Sequence, residues 1–387
     1  MTRWNFGSIL RKPDPSVIAV QSIFFLEAFA FSSWLPHLPE LKEMLHLSEG
    51  EVGAILLALP AGSLLGAPLA GVAGIWLSLR VLNLLSLSAM VLAISLIGLA
   101  SHSVVLAVIL ALVGIFAGAV GVSMNSAGLT VEKLIGRPVL LRCHGFFSIG
   151  LAVGALLASI TLSTLTTFAH LSLVAVGVLL VAVLIYRWIP NSSSDDEQEG
   201  KRFSLPSGAM LIPALIAGGS MLAEGTTMDW SSIYLSTILD APPTSVGLGV
   251  SAFSAAMALI RFTGDGVTMR LGESKVILYG ASIGTIGYLI VSFSEERYLA
   301  LAGFALIGLG LAPVMPTAFR IAAKLSAQLP GIGVAAVSTS ATLGFLLGPV
   351  IVGLIAEFSG LRVSFGVIAL LLGGVALLSR PINKHLR

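Results

Sequence analysis

The stretch SMLAEGTTMDWSSIYL, residues 220–235, decides how the chain is read. It lies in an apolar tract long enough to cross a bilayer, for which a helix needs about 20 residues. Yet it carries two carboxylates, Glu224 and Asp229, with Gly225 and Trp230 beside them. Counted as a membrane helix, it completes a set of twelve segments. Left out, it scrambles the distribution of charge among the loops.

Composition settles the class. The 387 residues are 56% hydrophobic and only 10% charged, and the mean hydropathy is +1.00. An average soluble domain is about 25% charged, so this much apolar surface does not fit inside one water-soluble core. The chain reads as an all-α polytopic membrane protein with the lipid bilayer as its surroundings. A net charge of +2, with no basic run interleaved with aromatics, gives no argument for nucleic acid. One cysteine, Cys143, excludes an internal disulfide and a multi-cysteine metal site. Arg3, Arg11 and Lys12 are separated from the first apolar tract by Pro13, Asp14 and Pro15, and no small-residue cleavage site follows it. That tract is therefore expected to be a retained helix and not a signal peptide.

Spans are placed at 17–38, 51–74, 80–100, 104–128, 142–164, 167–189, 208–236, 244–267, 274–293, 298–322, 331–356 and 361–380. With both termini in the cytoplasm, seventeen of the 21 Lys and Arg residues fall in cytoplasmic segments. Only Lys42, Arg297 and Arg362 fall outside, and Arg261 lies within a span. This is the bias of the positive-inside rule. The outer loop after the first span is acidic, with Glu40, Glu43, Glu49 and Glu51. The longest polar break, PNSSSDDEQEGKRF at 190–203, falls at mid-chain. It divides the chain into a six-helix bundle over 1–189, a cytoplasmic linker over 190–206 and a second six-helix bundle over 207–387.

The halves resemble one another weakly. FFLEAFAFSSWLPHL (24–38) and SMLAEGTTMDWSSIYL both set a glutamate near mid-span, Glu27 and Glu224, with Ser and Trp about two turns later. The pairs Gly62/Gly66, Gly114/Gly118, Gly150/Gly154 and Gly344/Gly348 have the spacing that lets helix backbones approach closely. Pro60, Pro68, Pro213, Pro313, Pro316 and Pro349 fall inside spans and are expected to kink them.

With twelve spans, termini inside and a central cytoplasmic loop, the chain resembles the major facilitator superfamily. It also keeps fragments of that family's loop signature. GVAGIWLSLRVL (71–82) keeps Gly71 and Arg80, but has Ile75 and Trp76 where an Asp–Arg pair is expected. RFTGDGVTMRLGESK (261–275) keeps Arg261, Gly264, Asp265, Arg270 and Gly272. Further pieces, EGTTMDWSSIYL (224–235), RPVLLRCHGFFSIG (137–150) and GFLLGPVIVGLIAE (344–357), look like a bacterial inner-membrane branch of carriers near the fucose permeases. The resemblance implies a pseudo-symmetric fold in which spans 1, 4, 7 and 10 line a central cavity. It also implies a lopsided cytoplasmic latch, with Arg80, Arg261, Asp265 and Arg270 as its gating charges.

Ionisable residues inside a span cost on the order of 2.5–3.5 kcal/mol each to insert and are functional candidates by default. Glu27 and Glu224 stand near mid-depth, where a carboxylate that takes up and releases protons serves a proton-coupled carrier. The bland reading is a protonated side chain bonding a neighbouring helix. Asp229, five residues past Glu224, points about 140° away on an ideal helix. Either Gly225 and the threonines after it break the helix and bring the two together, or Asp229 lies toward the outer mouth. Trp34 and Trp230 read as members of an interfacial belt, or as stacking platforms for substrate. Asn125 is a candidate for bonding substrate hydroxyls, or a helix–helix link. His37 reads as a solvated residue at a span end. Arg261 and Asp265, at i and i+4, can pair. Cys143 and His144 point about 100° apart and make no nucleophile–base dyad.

P-loop, GxGxxG, HExxH and EF-hand patterns are absent from the sequence. No cofactor, metal or enzymatic activity is expected. The reading is a monomeric carrier in the inner membrane, moving a small, sugar-like solute by alternating access with protons as partner. Export of amphipathic compounds and a transport-dead sensor on the same fold are the alternatives. The orientation predicts that a fluorescent protein fused after Arg387 matures in the cytoplasm, while a phosphatase fused there stays inactive; the reverse pattern inverts the topology.

Overall fold

The computed structural model describes residues 14–192, 206, 208–263, 271–326 and 330–380. Its regular structure is helical throughout the described residues. The first half contains α1 (Pro15–Ser33), α2 (Leu38–Met44), α3 (Glu49–Leu56), α4 (Ala58–Ala73), α5 (Leu79–Leu96), α6 (Ser103–Ile135), α7 (Leu140–Thr161) and α8 (Thr167–Ile185). The second contains α9 (Leu211–Ile238), α10 (Leu248–Thr263), α11 (Glu273–Phe293), α12 (Arg297–Leu311), α13 (Val314–Leu325), α14 (Pro330–Ser359) and α15 (Leu361–Leu378).

A helix, or an abutting pair such as α1–α2, α3–α4 or α12–α13, covers each of the twelve expected spans. Eleven of these are long and apolar enough to cross a membrane by length and composition. The exception is α9, which has the length, at 28 residues, but is diluted by Glu224, Asp229 and its serines and threonines. It needs less apolar surface because it packs among α10, α13, α14 and α15 inside the bundle.

The prolines act by position. Pro60 and Pro316 stand in the first turns of α4 and α13, and each helix break falls at or beside the residue four positions earlier. There the ring would clash with the preceding turn's carbonyl. Pro213 sits harmlessly in the first turn of α9, whereas Pro68 and Pro349 lie inside helices that continue through them.

Small residues set the helix pairs. Gly62 and Gly66 lie against the backbone of Ala111 and Ile115, and Gly114 and Gly118 against Leu59 and Ser63, closing α4 onto α6. Gly150 and Gly154 bring α7 onto Phe25 and Phe29 of α1, and Gly344 brings α14 onto Gly218 of α9. The pairing repeats between halves: α1–α7 corresponds to α9–α14, α4–α6 to α10–α12, and α5–α8 to α11–α15. Duplication is thus visible as packing where the residue match is faint.

The charges mark two ends. One holds Glu40, Glu43, Glu49, Glu51 and Glu357; the other holds Arg80, Lys133, Arg142, Arg187, Arg320 and Lys324. The halves meet along two seams, α3 with α14 and α7 with α10. Overfilling the α4–α6 crossing should be costly, since extra carbons in a packed interface cost about 1–3 kcal/mol. Gly114→Val is expected to lower the thermal unfolding temperature in detergent by several degrees. Gly373→Ala, where an added methyl meets nothing within 4 Å, should leave it unchanged.

Candidate functional site

Three carboxylates lie in the interior. Glu27, on α1, is 6% exposed, and its Oε2 has no hydrogen-bond partner. Asp229, on α9, is 7% exposed. Glu224 is half-buried on α9, and its nearest opposite charge is Arg261 of α10. Among the described residues no ion pair reaches any of the three. Leaving a buried polar group unmatched costs about 1–3 kcal/mol, more when it is charged, so this interior is costly as it stands.

Of the two alternatives at Gly225, the break is absent: α9 runs unbroken from Leu211 to Ile238. Thr226 and Thr227 donate to the carbonyls of Leu222 and Ala223, at 2.8 and 3.3 Å, which satisfies their buried hydroxyls within the continuous helix. Tyr288 of α11 caps the same place, its hydroxyl 2.8 Å from Thr227 Oγ1 and donating to the Ala223 carbonyl. Gly225 serves packing, because a Cβ there would stand 3.1 Å from the Phe345 ring. Glu224 and Asp229 therefore remain on different faces of α9, with Asp229 toward the acidic end.

Trp34 and Trp230 are not interfacial: both are 0% exposed, and both indole Nε1 atoms are buried without partners. Trp34 is seven residues past Glu27, two turns along the same stripe of α1. The hydroxyls of Ser231, Ser232 and Ser254 are likewise buried and unpartnered. Asn125 makes no helix–helix link. Its amide donates to Gly121 of its own helix at 2.7 Å, and the space beside Gly121 is open.

His37, expected to be solvated, is fully buried. A 3₁₀ turn over Leu35–His37, between α1 and α2, folds it under the start of α8. Its Nδ1 lies 3.0 Å from Thr167 Oγ1, which donates to Glu40 at 3.0 Å, and its ring centroid is 5.2 Å from that of His170. Partners some 130 residues away leave no local signal for this cluster.

Arg80 acts within the first half. Its Nε donates to the Ile189 carbonyl at 2.8 Å, tying α5 to the exit of α8. Arg261 instead crosses between halves, donating to Ser148 Oγ at 2.6 Å and the His144 carbonyl at 3.2 Å, both on α7. Asp265 and Arg270 lie outside the described residues. At the acidic end the α3–α14 seam is tight: Gly53 faces Pro349 and Gly353, and Glu357 accepts from the Gly50 amide at 2.9 Å. A carboxylate of one half thus caps the first turn of a helix in the other. Beyond α3 the seam parts, because α14 has little contact with α4.

A family model described as Major Facilitator Superfamily matches residues 214–386. An uncharacterised MFS-type transporter of Yersinia pestis is 31% identical over 369 residues, covering 95% of this chain and 96% of that protein. An uncharacterised transporter of Sinorhizobium fredii is 31% identical over 366 residues, 94% of this chain and 96% of that one. The solved structure of the nucleoside transporter NupG superposes with a TM-score of 0.74 at 14% identity, over 95% of this chain and 99% of that one; at that identity the likeness is one of fold.

With α9 unbroken, Gly225→Ala sets a gain in helix propensity against a 3.1 Å contact with the Phe345 ring, so the unfolding temperature is expected to fall modestly while solute binding stays within about twofold. A hinge at Gly225 would show as a loss of more than tenfold.

Proposed function

The chain belongs to the major facilitator superfamily and moves a solute across a membrane, and from that premise we propose that it does so by alternating access coupled to protons. The observation that carries the proposal is the set of carboxylates inside the bundle: Glu27, buried with its Oε2 unpartnered, and Asp229, buried toward the acidic end, with Glu224 half-buried on α9. A carboxylate in that position needs a proton, water or a bound group. Alternating exposure supplies all three in turn.

The gate fits this reading. With the basic end on the cytoplasmic side, the arrangement is closed toward the outside by the α3–α14 crossing and the Glu357 cap. A cycle must break that contact and remake one at the opposite end. Glycine at Gly53 and Gly353 permits it, because a Cβ on Gly353 would stand 2.7 Å from the Glu49 carbonyl.

A small, polar, sugar-like solute is favoured over an amphipathic one. The unmatched donors and acceptors of Trp34, Trp230, Ser231, Ser232 and Ser254 offer hydrogen bonds to hydroxyls. Asn125, beside open space on α6, adds a polar group of the same kind. The relatives are bacterial, so the inner membrane is the expected location, and the two-half bundle needs no second copy.

A thermal-shift screen of sugars, polyols and nucleosides identifies the solute, since a ligand that binds the folded form raises its stability. In proteoliposomes that solute should then drive proton movement. Glu224→Gln and Glu27→Gln should each reduce the coupled proton flux at least tenfold. Wild-type coupling in both variants removes the assignment.

A further inference from the structure

We propose that Arg261 is the positioning residue that passes the protonation state of Glu224 to the seam between the two halves; this rests on the proton-coupling reading above. The α7–α10 seam is bridged at three levels. Near the acidic end the Gly247 amide donates to Ser159 Oγ at 2.7 Å, and Ser251 Oγ donates to the Ala152 carbonyl at 3.0 Å. Neither involves a charge. Toward the basic end the bridge is Arg261, through Ser148 Oγ and the His144 carbonyl. Of these three bridges, only that one can be competed for by an anion.

The competing anion is Glu224. Glu224 belongs to the same half as Arg261 and is within reach of its charge, yet no hydrogen bond joins them. Among the described residues, the titratable groups facing Arg261 are His144 from α7 and Glu224 from α9. Those facing Glu224 are Arg261 from α10 and the Tyr288 hydroxyl from α11. Both of the acceptors that Arg261 has among the described residues are neutral. A guanidinium bonds an ionised carboxylate about twice as strongly as a neutral acceptor, and it keeps its own proton throughout.

The switch then has a sign. With a proton on Glu224, Arg261 stays on Ser148 and the His144 carbonyl, and the seam is held. When Glu224 releases its proton to the aqueous phase it faces, Arg261 turns back to its own half and frees α10 from α7 at the basic end. Each state uses the guanidinium once, so the proton and the seam contact cannot change independently. Arg80 plays no such part, since both of its contacts lie within the first half.

The test is a spin-label distance between positions 142 and 263, both exposed, in full-length protein with Cys143→Ser, measured from pH 5 to 9. In the otherwise unmutated protein the distance should lengthen as pH rises. Glu224→Gln should hold the short distance at every pH. Arg261→Gln should remove the pH response, and Arg261→Lys should restore part of it. Ser148→Ala, which leaves Glu224 and Arg261 intact, should lower the pH of release by about one unit, the size expected for one charge-assisted hydrogen bond. A pH response unchanged in Glu224→Gln or in Arg261→Gln overturns the proposal, as does a distance that never responds to pH. Solute-driven proton flux in the same preparations separates the two readings. Flux with an Arg261-independent seam defeats this inference alone, whereas no flux in the wild type defeats the coupling itself.

Discussion

A charge inside a bilayer has three ways to persist: a counter-charge, water, or a proton that cancels it. Glu27 and Asp229 have no counter-charge in the arrangement described, and both are almost wholly withdrawn from solvent. The rest of the bundle is organised around that constraint. Helix α9, which carries Glu224 and Asp229, is sheathed by four others. Glycine-lined crossings draw the surrounding pairs together, so the interior is screened by packed backbone. On the alternating-access proposal, two halves with repeated packing open and reseal such a site from either side.

The two seams divide this work unequally. The α3–α14 seam is closed only near the acidic end, by glycine crossings and by a carboxylate capping a helix terminus across the halves. The α7–α10 seam stays joined along its length, with uncharged hydrogen bonds toward the acidic end and Arg261 toward the basic one. Each closing contact is small and reversible. None buries an ion pair, whose rupture would be slow and expensive. Such contacts suit states that differ by a few kcal/mol, the range in which a proton or a solute shifts the population.

Much of this was legible in the sequence. Hydropathy and loop charge placed the segments, and glycine spacing marked α4, α6, α7 and α14 as helices that pack closely without naming their partners, because both signals are local and periodic. Burial of Glu27 agrees with the depth read from its span, whereas Glu224, read at the same depth, is only half-buried, and Asp229 is buried toward the acidic end. Hydropathy nevertheless understated α9, since burial within protein lets a helix carry polar residues that lipid would reject. Composition also misplaced Trp34 and Trp230, which it favours at interfaces, although the stripe shared by Trp34 and Glu27 pointed inward. The threonines after Gly225 offered a break that does not occur, because their hydroxyls bond back to the preceding turn and the helix continues. His37 was misread and Glu357 missed because their partners lie 130 and 307 residues away, and the contact of Arg261 with Ser148 spans 113. Such contacts exist only once the chain has folded.

Whether the halves alternate about the acidic-end closure is decided most directly by paired distance measurements in lipid nanodiscs. One pair of spin labels spans the acidic end, at the exposed positions 44 and 358; the other spans the basic end, at exposed position 134 on α6 and at 324 on α13. The expected result is reciprocal: a change of pH or addition of the solute lengthens one distance and shortens the other. Two distances that stay fixed, or that lengthen and shorten together, would contradict alternation.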